Sequence, residues 1–113
     1  MRIVYEKISI AELKQMSEKM FGNLVKAVVD VEKGIMAIDS TLHADEEAFL
    51  LENGSHQKNL WGINIYPEIK GENWIEFDSM INLRPSFGNK SRGIDDAKTQ
   101  AVIKNIVNRL VEK

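Results

Sequence analysis

The chain has 113 residues, with 15 Lys and Arg against 17 Asp and Glu for a formal charge of −2, and 43% of its residues are hydrophobic. That is one domain's worth of chain, able to bury a single core, and its balance excludes disorder and a generic polyanion binder. It contains no cysteine, which removes disulfides, thiol catalysis and thiolate zinc sites; with no apolar run of bilayer length, the expectation is a single cytoplasmic domain spanning 1–113 with no membrane contact.

The first element starts on a complete capping box, Ser9 followed by Glu12, with Ile8 and Leu13 placed as a hydrophobic staple. Ile10, Leu13, Met16, Met20 and Phe21 share one helical face, and Gly22 is suited to a left-handed termination. From Leu24 the period changes to two. Val25, Ala27, Val29 and Val31 predict a strand, Lys33-Gly34 a turn, and Ile35 to Asp39 its hairpin partner. Residues 46–52 fit either a short helix or a strand; the Asn53-Gly54 pair ahead of the run from Leu60 to Tyr66 favours a second hairpin. Trp61, Ile63 and Ile65 alternate until Pro67, and a long strand is predicted from Trp74 to Arg84, with Trp74 on its polar side packing at the sheet edge. The loop from Arg84 to Gly93 leads to a last helix capped by Asp95 or Asp96, with Val102, Ile103, Ile106, Val107, Leu110 and Val111 on its apolar half. The pattern predicts an α+β fold: an antiparallel β-meander of four or five strands, one face covered by N- and C-terminal helices.

The opposite sheet face then carries Lys26, Asp30, Glu32, Asn64, Glu76, Asp78, Asn82 and Arg84. Asp30-x-Glu32 and Glu76-x-Asp78 each set two carboxylates on one side of a strand, about 7 Å apart. Asp30, Glu32 and Asp78 are thus candidate ligands for Mg²⁺ or a similar hard cation, and crowding would suit Glu76 or Asp78 to acid–base work. His43, inside Leu-His-Ala-Asp-Glu-Glu, is the candidate proton carrier, while His56 reads as surface. Neither histidine has a second one at zinc-ligand spacing, and no nucleotide fingerprint is present. In the Arg84–Gly93 loop, Arg84, Ser86, Ser91 and Arg92 are candidates for holding a small anion ahead of a helix, although Asp95 and Asp96 already place negative charge there.

Charge is unevenly distributed: +1 over residues 1–22, −7 over 23–83 and +4 over 84–113. The central excess would repel a polyanion, so nucleic acid is disfavoured as a partner. The function expected is a small binding or regulatory domain, with a homodimer through the sheet face or edge; the alternative is a small enzyme acting on a phosphate- or carboxylate-bearing substrate.

The stretches Val29–Gly34, Leu42–Glu47, Leu60–Pro67 and Trp74–Asn82, continuing through Arg84-Pro85-Ser86 and Ser91-Arg92-Gly93, resemble a domain-of-unknown-function family of small prokaryotic proteins. The resemblance implies a prokaryotic, cytoplasmic setting and brings no activity, cofactor or site residue with it.

Overall fold

A computed structural model describes residues 1–113. In chain order the elements are β1 (Arg2–Val4), β2 (Ile8–Ser9), α1 (Ile10–Lys19), β3 (Val25–Asp30), β4 (Ile35–Ile38), α2 (His43–Glu52), β5 (Leu60–Ile65), β6 (Ile75–Glu76), α3 (Ala97–Leu110) and β7 (Val111–Glu112). Five strands form an antiparallel sheet in the order β1-β4-β3-β5-β6. Its spine is the six-residue ladder from Val25↔Ile65 to Asp30↔Leu60. A two-stranded parallel pair, β2 with β7, ties the start of α1 to the end of α3, and the Lys7 ammonium donates to the Arg109 carbonyl there (2.8 Å). No helix is long and apolar enough to cross a membrane.

The α+β class, an antiparallel sheet within the expected four or five strands, and the placing of both terminal helices on one face are as the periodicity predicts, although β1 is a strand that the alternation does not mark. On that face, Leu13 of α1 and Ile103, Val107 and Leu110 of α3 bury Val25, Ala27, Val29, Met36, Ile38, Ile63 and Ile65. Ser9 caps α1 by accepting the Glu12 amide (3.1 Å), and Asp96 accepts the Lys98 and Thr99 amides to open α3.

The other face is where expectation and structure part. Residues 43–52 form α2 rather than a hairpin arm, and α2 carries the chain from β4 over β3 to β5, so these two strands run parallel with β3 between them. Asn53-Gly54 ends a helix instead of turning a hairpin: the Asn53 and Ser55 amides both donate to the Leu50 carbonyl, and Gly54 has φ +97°. The face that α2 turns to the sheet is His43, Glu46 and Leu50, all buried. Two polar residues in a buried stripe hid its helical period. With Leu50 over Val28, Ile35, Ala37 and Leu60, a second core closes the face expected to lie open to a partner copy.

The long strand from Trp74 also ends early. Trp74 is in the main core at the β6 edge, with the Lys113 ammonium 3.9 Å from its ring centre, but pairing stops after Glu76. The chain then crosses β5 in short turns. Gly62 permits the crossing, because a Cβ there would lie 2.5 Å from Ser79 Cβ. Asn82, fully buried, replaces the missing strand: its Oδ1 accepts the Gly62 amide (2.8 Å) while its Nδ2 donates to the Gly62 carbonyl (2.9 Å) and to the Arg92 carbonyl (3.0 Å). The side-chain amide thereby makes the two-way exchange of a hydrogen-bonded strand pair. Asn89 seals the loop, donating to the carbonyls of Asn82, Ser91 and Gly93 and accepting the Asp95 amide.

Removing the Asn82 amide strands several buried polar groups, each costing on the order of 1–3 kcal/mol. Asn82→Ala is therefore expected to lower the urea-unfolding free energy by about 3 kcal/mol or more; a loss below about 1 kcal/mol would contradict the role given to this side chain.

Candidate functional site

The local geometry brings three pieces of chain together: the start of α2, the loop following β6, and a row of sheet residues. In that row Lys26 of β3 faces Asn64 of β5, which in turn faces Glu76 of β6. The loop passes over the row because Asn82 and Ser79 hold the Arg92 main chain, with the Ser79 amide donating to the Arg92 carbonyl (3.0 Å). Between them lies a cleft of about 340 Å³ lined by Lys26, His43, Asn64, Asp78, Ser79 and Arg92, with Phe21, Leu42 and Met80 as an exposed apolar rim.

His43 is the first residue of α2 and is 8% exposed. Its Nε2 lies 2.7 Å from the Ile63 carbonyl, which can only accept, so Nε2 carries the proton and Nδ1 is the lone-pair nitrogen. Burial holds its pKa below the ordinary histidine value, with the Lys26 and Arg92 charges adding to the depression, and the ring is neutral near pH 7. Leu42 occupies the N-cap with no side-chain hydrogen bond, which leaves the first turn of α2 without a capping acceptor.

Lys26 is half-buried, sits 5.0 Å from the Phe21 ring centre and is in no ion pair. Arg92 donates from Nε to Asp78 Oδ1 at 2.8 Å, an exposed pair. Asn64 is 7% exposed; its Nδ2 donates to Glu76 Oε1 (2.8 Å) and the Asp78 carbonyl (3.3 Å), while its Oδ1 has no partner. Both partners of Nδ2 are acceptors, so the amide orientation follows from its neighbours.

The predicted residues separate into two groups. His43, Asp78 and Arg92 meet in the cleft. Glu76 lies at its margin, accepting from Asn64 and from the Tyr66 hydroxyl (2.9 Å). Arg84 lies elsewhere: buried, it donates to the Gln57 (2.7 Å) and Leu60 (2.8 Å) carbonyls and stacks 4.4 Å from the Trp61 ring centre, leaving its fork committed to main chain. Ser86 is exposed in a turn over Pro85–Phe87, and the Ser91 hydroxyl donates to Asp95 (2.7 Å) in the turn before α3. The four anion candidates therefore do not converge, since a loop so rich in internal hydrogen bonds uses its donors on itself.

The carboxylates expected to share a cation are also apart. Asp30 is fully buried and accepts from the Glu32 and Lys33 amides (2.9 Å each) and the Ser55 hydroxyl (2.6 Å), capping the β3–β4 turn, while Glu32 is exposed in that turn. Asp30 is four residues along β3 from Lys26, about 13 Å from the cleft row. No group of three or more His, Asp or Glu side chains converges as a metal site. Lys26 and Asn64 were legible as polar-face residues by strand alternation, but nothing in their identity distinguished them from their neighbours.

A family model described as a protein of unknown function, DUF5674, matches residues 2–110. No curated protein and no solved structure matches the chain.

One turn beyond His43, Glu46 is wholly buried and neither carboxyl oxygen has a hydrogen-bond partner. Burial pushes its pKa up from 4.5 to about 10, the Ser40 main chain and the Lys26 charge offsetting only part of the effect. The folded state thus keeps a proton that the unfolded chain releases above pH 4.5, so Glu46 costs nothing in acid and lowers stability as pH rises between these values. Glu46→Gln is expected to exceed the parent in unfolding free energy by about 3 kcal/mol at pH 8 and by under about 1 kcal/mol at pH 5, measured by urea denaturation. A gap that stays constant between these pH values would contradict it.

Proposed function

The chain belongs to the DUF5674 family, and from the chemistry of its cleft we propose that it is a binding domain for a small carboxylate- or phosphate-bearing molecule. The observation that carries this reading is Lys26: a half-buried residue whose ammonium has no carboxylate partner, in a cleft that it lines together with the uncapped start of α2 and Arg92. An anion seated there gains charge-assisted hydrogen bonds from both side chains and amide donors from the helix. The Arg92–Asp78 pair is exposed and weak, so Arg92 can turn a free N–H to a ligand at small cost. The apolar rim of Phe21, Leu42 and Met80 suits the carbon skeleton of a small molecule.

A second reading is favoured by His43 itself. Its neutral ring, pinned through Nε2, presents Nδ1 as a base at the cleft, the arrangement needed to take a proton from a bound anionic substrate. Binding takes precedence because Asp78 is held by Arg92, and Glu76 by Asn64 and Tyr66, leaving a single proton carrier.

Thermal-shift measurements against phosphate esters and carboxylates test the proposal. At about 100 times its Kd, a ligand stabilises the fold by roughly 2.7 kcal/mol and raises Tm by around 10 °C. Lys26→Met and Arg92→Met are each expected to weaken that ligand by about tenfold or more while leaving the unliganded Tm within a few degrees. Equal binding by the parent and both variants would contradict the proposal.

A further inference from the structure

The cleft holds a buried acceptor that nothing in the protein satisfies. Asn64, opposite Lys26 in the ladder, spends both amide hydrogens on Glu76 Oε1 and the Asp78 carbonyl, and its Oδ1 has no donor. An acceptor shielded from water is costly to leave bare, so a donor brought into the cleft gains by reaching it once the side chains that cover it move aside. The Lys26 and Asn64 side chains, directly opposed on β3 and β5, start from Cβ atoms roughly 5 Å apart. A molecule with its anionic group on Lys26 and Arg92 shares the cleft with Asn64, which lines it beside them.

Resting on the anion-binding reading, we infer that the ligand is a small hydroxy acid: a carboxylate or phosphate ester with a hydroxyl on a carbon close to the anionic group, the hydroxyl donating to Asn64 Oδ1. The donor is a hydroxyl rather than an ammonium because Lys26 is unpaired and Arg92 adds a second positive charge, so a cation at the same place meets repulsion. The His43 Nδ1 is a further acceptor on the cleft lining without a protein donor, consistent with a ligand richer in hydroxyls than in acceptors. This specificity separates the site from a sulfate- or acetate-type anion hole, which would need donors alone.

Matched pairs test it by calorimetric titration of the full chain: glycerol 3-phosphate against n-propyl phosphate, and lactate against propionate, with alanine as the ammonium analogue. The inference predicts that the hydroxylated member of at least one pair binds about tenfold or more tightly than its deoxy partner. It also predicts that alanine binds more weakly than lactate, and that Asn64→Leu removes the hydroxyl preference while keeping affinity for the deoxy compound. Should Asn64→Leu fail to fold, the preference measured on the parent chain stands as the test. Equal affinities within both pairs, or alanine above lactate, would overturn the hydroxyl assignment and leave the anion site standing. Absence of binding by all five compounds would overturn both.

Discussion

The two-way hydrogen bond between the Asn82 side chain and the Gly62 backbone is the constraint on which the functional half of the molecule depends. Beyond Glu76 the sheet lacks a strand to pair with the middle of β5, and a central strand left with bare polar groups under a covering layer would be costly. Asn82 meets that need with a side chain, which frees the main chain from strand geometry. The loop can then bend back, put Ser79 over a glycine, and bring Asp78 and Arg92 to the start of α2. A regular sixth strand running on to Arg84 would occupy the same ground with a ladder and leave no cleft.

Much of the scaffold was legible in the sequence because its causes are local. The Ser9 cap, the alternation through β3, β4 and β5, and the broad apolar half of α3 each depend on residues within a turn or a strand pair. What escaped depends on distant partners. Arg84 and Arg92 are indistinguishable as loop cations until their partners are known: carbonyls at Gln57 and Leu60 for the first, Asp78 at the cleft for the second. Asp30 reads as a metal ligand by strand position, but its oxygens are filled by its own turn and by Ser55. The α2 helix was hidden because its buried stripe contains His43 and Glu46, residues whose burial violates the periodicity used to find helices.

Those two violations sit together with the cleft, which is where a fold departs from the rules for stability in favour of something else. Glu46 carries a proton in place of a partner, His43 is held neutral, and Lys26 influences both without pairing to either. The charge excess of the last thirty residues is therefore only partly used on the acidic sheet. Arg92 neutralises Asp78 and Arg84 is absorbed by carbonyls and an aromatic ring, while Lys26, from the acidic central segment, is a positive charge at the cleft with no ion-pair partner.

The central claim is that the uncapped first turn of α2, in a cleft that it lines together with Lys26 and Arg92, receives an anionic group. Amide-resolved NMR titration of the ¹⁵N-labelled chain with glycerol 3-phosphate reads it directly. The account predicts saturable shifts at the His43 and Ala44 amides and the Asn64 side-chain amide, lost in Lys26→Met. Shifts confined to the Ser86–Ser91 turn, or none at the α2 start at saturating ligand, would contradict it.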